Sequence, residues 1–146
     1  GLQDRVEIVA ENAETWSPDM LADAVLLDAP CSAFGTLRRH PEGAWIKGPD
    51  DIARFPNVQL RLLKAAARLV KPGGTIVYCV CTPLKREGAD VLDAALKETG
   101  LERAPISAEE AGAFAGGLTG NGDLLTLPQD GFAHDAFYIS RLRRTA

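Results

Sequence analysis

The sequence is short of the features that mark a membrane protein, a disulfide scaffold or a general polycation. No apolar run approaches the ~18–20 residues that a transmembrane helix needs. No charged-then-apolar leader opens the chain, so the expected compartment is the cytoplasm. Cysteine is scarce: three in 146 residues, an odd count that argues against a disulfide framework. Cys79 and Cys81 form C-x-C without a second pair, and Cys31 is the only other thiol, so no metal site is expected. Excess positive charge is also missing, the formal net charge being −4. A nucleic-acid role would therefore rest on one local patch, Arg38, Arg39, His40 and Lys47, which on charge alone reads as a solvated loop. Internal repeats and low-complexity tracts are absent.

What is present suits a single globular domain over residues 1–146. Hydrophobic residues make up 46% and charged residues 25%, ordinary values for a chain with a packed core. "RVEIVA" (5–10) alternates apolar and polar residues and predicts a strand. "SPDMLA" (17–22) carries a Ser-Pro-Asp helix start good for one turn. "DAVLLDA" (23–29) is nearly continuous apolar sequence, as for a strand covered on both faces. "NVQLRLLKAAARLV" (57–70) spaces Val58, Leu62, Ala65, Ala66 and Leu69 as one helical stripe, and "KPGG" stops it. "TIVYCVCT" (75–82) predicts a second buried strand, and "GADVLDAALKETG" (88–100) a second amphipathic helix. Ser107 and Glu110 suggest a capping box on a short third helix. "DLLTLP" and "AFYISRLRR" read as an antiparallel pair joined by a polar stretch with Asp130-Gly131. The order implies an α/β sheet, mostly parallel, with an antiparallel C-terminal hairpin.

In such sheets ligands gather beyond the carboxyl ends of the strands. Asp28-Ala29-Pro30-Cys31 and Cys79-Val80-Cys81-Thr82 both lie there, on strands joined by one crossover helix, so Cys31 and Cys81 should face one crevice. Two thiols beside a carboxylate permit a division of labour in which one adds covalently and the other moves a proton. The competing reading is that free cysteines pack as small hydrophobes.

"DAPCSAFGTLRRHPE" (28–42) resembles the fourth motif of the Sun (Nol/Nop/Sun) family of RNA cytosine-5 methyltransferases. "KPGGTIVYCVCTPLKREG" (71–88) resembles the sixth, and "LPQDGFAHDAFYISRLRR" (127–144) the closing strand. Gln59 stands where the family's crossover helix carries a Gln. The resemblance runs in register from about Arg5 to Arg144. It implies an S-adenosylmethionine-dependent enzyme acting on RNA, ribosomal RNA being the expected substrate. It also implies that Cys81 attacks C6 of the cytosine, that Cys31 assists loss of the C5 proton and release, and that Asp28 contacts the ring edge. Pro30 would fix the turn presenting Cys31. Arg38 and Arg39, with His40 and Lys47, would hold RNA phosphate. For the methyl donor the resemblance points to Asn12, Asp28 and Pro30. DNA cytosine methylation is a near neighbour, but the second thiol, Cys81, argues for the RNA type.

The chain departs from the family pattern in several places. Val80 stands where Thr is usual, and Cys79 is an additional thiol two residues from Cys81. Ala136 and Tyr138 replace Gly and Phe. The Gly-rich loop that holds the donor after the first strand, and the acidic residue after the second, are not in this sequence. The chain therefore reads as the C-terminal portion of an incomplete Rossmann-like methyltransferase domain. Two other readings compete: a non-catalytic RNA-binding module that kept the pocket, and a thiol redox or metal protein resting on Cys79-Val80-Cys81. The family strand order, 3-2-1-4-5-7-6, leaves one side of "DAVLLDA" uncovered. Relief is expected from "RVEIVA" folding back onto that edge, or from a second copy docking there as a homodimer.

Overall fold

The computed structural model describes residues 1, 3–128 and 133–146. The polar stretch containing Asp130-Gly131 lies outside the described residues. Strand β1 (Ala22–Asp28) is followed by a loop with a 3-10 turn at Phe34–Thr36 and the one-turn helix α1 (Gly43–Ile46). Helix α2 (Pro49–Leu69) crosses back to β2 (Val70–Val80). A second 3-10 turn, Lys85–Glu87, leads into α3 (Ala89–Glu98), then β3 (Leu101–Arg103), α4 (Ala108–Ala111), β4 (Leu124–Thr126) and β5 (Phe137–Arg144). The sheet order is β1-β2-β5-β3, with β4 also pairing β5. β1 and β2 are parallel, whereas β5 is antiparallel to β2, β3 and β4. Four of the five strands thus run one way, with β5 reversed among them.

Helix α2 begins eight residues before the sequence-predicted start. Pro49 occupies the first helical position, where its missing N–H costs nothing. Asp50 and Asp51 favour the positive end of the helix dipole, and the Asp51 carboxylate accepts the Gly48 N–H at 3.1 Å. Pro56 removes one internal hydrogen bond without ending the helix. The buried face carries Gln59, Leu63, Ala65 and Ala66, so the true stripe is turned from the predicted one, and Leu62 and Leu69 lie only half-buried. Leu63 and Ala66 pack with Val70, Ile76, Tyr78, Val80, Leu92 and Leu142 into one core. The last turn of α2 passes directly into β2; "KPGG" is a bulge inside that strand, where the register jumps from Ala22↔Val70 to Ala24↔Thr75. α3, the capping box on α4 and the β4/β5 pair form as expected, while the three-residue β3 is too short to carry a sequence signal.

Three expectations fail at the N-terminal side. Residues 6–10 form no strand, and Val6 and Ile8 are exposed at 61% and 90%. A strand holds its shape through a ladder, and this segment pairs with nothing, so the fold-back onto β1 is not formed. "SPDMLA" makes bends rather than a helical turn. β1 is covered on one face only: Val25 and Leu27 pack on the core, whereas Leu26 is 73% exposed. Nothing among the described residues pairs with its outer edge.

Candidate active site

The carboxyl ends of β1 and β2 hold the chemistry. Parallel pairing places Asp28 opposite Cys79, and the ladder is extended by the Ala29 N–H donating to the Cys79 carbonyl at 3.1 Å. Beyond this point both chains turn. Cys31 and Cys81, fifty residues apart, bring their sulfurs to 3.4 Å. β2 ends at Val80, which releases Cys81 from the strand alternation. Cys79 therefore does not share its place: its sulfur lies 3.7 Å from both the Leu27 carbonyl and Asp28 Oδ1. All three thiols are half-buried. Burial pushes Cys31 up to about 12, and the adjoining Cys81 sulfur adds to the shift. Burial, and next the Asp28 carboxylate, pushes Cys79 up to about 11.

Around the sulfurs the loops are held tightly. The Gly35 N–H donates to the Cys81 carbonyl at 2.9 Å, and the Ala136 N–H to the Gly35 carbonyl at 3.0 Å. A Cβ on Gly35 would stand 2.0 Å from the Ala136 oxygen, so only glycine lets the Cys31 loop approach β5. Ala33 lies in the left-handed region at φ 58°, uncommon for a residue with a side chain. Ser32 Oγ donates to Thr82 Oγ1 at 3.0 Å, and the Ser32 N–H donates to Glu87 Oε2 at 2.7 Å. Gln59 Nε2 donates to the Pro30 carbonyl at 2.9 Å and to Glu87 Oε2 at 3.2 Å. Gln59 and Glu87 are fully buried, yet Oε1 of each has no partner among the described residues. Unpaired buried polar groups cost ~1–3 kcal/mol apiece.

The model of the family "16S rRNA methyltransferase RsmB/F" matches residues 4–143. This chain belongs to that family. It is 42% identical over 112 residues to the ribosomal RNA small subunit methyltransferase B of Sodalis glossinidius, covering 69% of this chain and 26% of that protein. The protein of the same name from Salmonella paratyphi B is 42% identical over 98 residues, 62% of this chain and 23% of that one. The chain thus spans about a quarter of the length of the curated relatives it matches. Among solved structures, a methyltransferase homolog from Pyrococcus horikoshii is 27% identical with a TM-score of 0.65, over 86% of this chain and 40% of that one. NSun6 from the same organism, solved with SFG, shares the fold at a TM-score of 0.76 and 23% identity, over 96% of this chain and 35% of that one.

The RsmB/F family is one of S-adenosylmethionine-dependent methyltransferases of Rossmann-like fold, and the residues expected to meet the donor lie at the surface. Asp28 and Pro30 are exposed at the end of edge strand β1. Asn12 is exposed too, its Oδ1 accepting the Glu14 N–H at 2.9 Å in a local turn. The predicted RNA contacts spread along the rim. Arg38 is exposed and makes no hydrogen bond or salt bridge among the described residues. Arg39 grips Asp135 with two nitrogens, and His40 Nδ1 lies 3.2 Å from Glu42. Lys47 turns inward and donates to the Ser32 carbonyl. Among the described residues no group of three or more His, Cys, Asp or Glu could hold a metal ion. No helix there is long and apolar enough to cross a membrane.

Sequence reasoning passed over Glu87, Ser32, Thr82 and Asp135. Glu87 stands in the charged run Lys85-Arg86-Glu87, which reads as solvated surface; only the 3-10 turn at Lys85–Glu87 swings the carboxylate inward.

Proposed function

We propose that this chain forms the target-base half of an enzyme that transfers a methyl group from S-adenosylmethionine to C5 of a cytosine in ribosomal RNA. The observation that carries the reading is the 3.4 Å approach of the Cys31 and Cys81 sulfurs at the carboxyl ends of β1 and β2. Burial pushes the Cys31 thiol up to about 12, and across the 3.4 Å contact either sulfur can donate to the other. Arg39, though held mainly by Asp135, also lies within the electrostatic reach of Cys81.

Cys81 gives up its proton to solvent and its sulfur bonds to C6 of an extruded cytosine, and the C5=C6 electron pair moves onto the ring, where Asp28 meets the ring edge. Bound S-adenosylmethionine supplies the methyl group that C5 then carries. Cys31, once its own proton has passed to solvent, takes the C5 proton; the C–H pair re-forms C5=C6 and the C6–S bond breaks, returning Cys81 as thiolate. A thiolate whose acid has a pKa near 12 is a strong base, so release should quicken as pH rises. Arg38 offers phosphate an exposed guanidinium that also feels Asp135, Arg39 and His40 do so by exchanging their carboxylate partners, and Lys47 acts through Ser32. Asn12 and Pro30 complete the present wall of the donor site with Asp28.

For the 146-residue chain by itself, the one-sided donor wall favours a non-catalytic RNA-binding module with the same pocket. The test uses a full-length protein carrying this chain, labelled methyl donor and small-subunit ribosomal RNA. Label in 5-methylcytidine, lost with Cys81→Ala, is the expected result. Label in another nucleoside, or unchanged labelling in Cys81→Ala, would overturn the assignment.

A further inference from the structure

We propose that Glu87 and Gln59 are positioning residues that set the Cys31–Cys81 thiol pair, a role resting on the reading above that this pair is the reactive centre. They hold Cys31 by the peptide groups on either side of it. Gln59 donates to the Pro30 carbonyl at 2.9 Å and Glu87 accepts the Ser32 N–H at 2.7 Å. The two side chains are joined to each other at 3.2 Å. Ser32 Oγ then reaches Thr82 Oγ1 at 3.0 Å, which ties the residue after Cys31 to the residue after Cys81. Glu87 is in turn fixed from behind, since the Tyr78 hydroxyl donates to its carbonyl at 2.6 Å. Gln59 comes from α2, Glu87 from the turn before α3, and Tyr78 from β2. Three elements therefore converge on a loop that touches neither carboxylate nor amide except through its backbone.

The choice of residue types supports the assignment. Glu87 is fully buried and makes no salt bridge among the described residues. Its Oε1 and that of Gln59 are without partners among the described residues. A fold seeking stability alone would fill this place with apolar atoms, and rule-breaking polar groups of this kind collect where a site is being shaped. The Cys31 loop cannot supply the rigidity itself, because Gly35 and left-handed Ala33 lie within it.

The pair can be read without RNA or methyl donor by phenylarsine oxide, whose trivalent arsenic joins two neighbouring thiols with loss of one water. In a Cys79→Ala background only Cys31 and Cys81 remain to bind it. That chain should take up one equivalent. Glu87→Ala and Gln59→Ala should each weaken the complex at least tenfold, and Glu87→Gln, which keeps an acceptor for the Ser32 N–H, should stay within threefold. Asp123→Asn is the control for lost stability alone: Asp123 is a buried carboxylate accepting from Tyr138 and Ser140 of β5, and it makes no hydrogen bond to the Cys31 loop among the described residues. It should lower the melting temperature and leave arsenical binding unchanged. Binding within twofold of the background for Gln59→Ala, or losses in Glu87→Ala matched by Asp123→Asn, would overturn the proposal. If Glu87→Ala does not fold, Gln59→Ala decides. Intact arsenical binding in a protein that transfers no methyl group would count against the enzymatic reading and not against the clamp.

Discussion

Cys31 and Cys81 meet sulfur to sulfur at 3.4 Å, and the surroundings of Cys31 set how its thiol behaves. Burial keeps Cys31 protonated to about 12, well above the ~8.5 of a thiol in an unfolded chain. Iodoacetamide at pH 8 should therefore spare Cys31, with its labelling rising only as pH climbs toward 12; peptide mass spectrometry reads this directly. Fast labelling of Cys31 at pH 8 would contradict the burial. The same shift has a consequence for stability. A folded-state pKa raised above the unfolded one stabilises fully below about pH 8.5 and is lost as pH rises through 12. Wild type should thus lose denaturation midpoint between pH 8.5 and 12 faster than Cys31→Ala does. On the acid side, Arg141 holds Glu110 down to about 2, so whatever this exposed pair contributes is present above about pH 4.5 and lost as pH falls toward 2. At this scale Asp28, Cys31 and Cys81 were legible in the sequence because strand ends and local motif fix them. Glu87 was not, because a turn in tertiary context decides which way a residue in a charged run points.

Between residue and molecule, the elements show where pattern suffices and where it does not. β2, α3, the α4 cap and the β4/β5 pair followed from periodicity and capping chemistry. α2 was read too short, since only residues 57–70 show the apolar stripe while the helix starts at Pro49, and its buried stripe was misplaced by about one position. β1 misled more, because continuous apolar sequence signals two covered faces, yet Leu26 stands 73% exposed. Leu26→Lys should accordingly change stability by less than ~0.5 kcal/mol, as at other open surface sites. Leu63→Ala, at a fully buried position of the core, should cost ~2–5 kcal/mol. Urea titration of both variants checks the pair; a cost above ~2 kcal/mol for Leu26→Lys would show that something covers that face in solution. Gly35→Ala should part the Cys31 loop from β5, given the 2.0 Å approach, and abolish arsenical bridging.

For the whole molecule, the order β1-β2-β5-β3 agrees with the 4-5-7-6 half of the family sheet and leaves β1 as an open edge. Residues 5–10 do not close it, so a second copy of the chain, or a preceding donor-binding half, is the remaining cover that we propose. Sedimentation of the 146-residue chain should show self-association if a second copy is that cover, and a monomer would count against it. If Asn12, Asp28 and Pro30 form one wall of a donor site as proposed, calorimetry on the 146-residue chain should find S-adenosylmethionine binding very weak or absent; micromolar affinity would contradict that proposal. The central claim is that Cys81 forms the bond to RNA and Cys31 undoes it. Its most direct test incubates full-length Cys31→Ala and Cys81→Ala variants with substrate RNA and methyl donor, then separates protein under denaturing conditions. Cys31→Ala should accumulate a covalent protein–RNA complex and Cys81→Ala none, whereas trapping by Cys81→Ala and not by Cys31→Ala would reverse the roles and contradict the account.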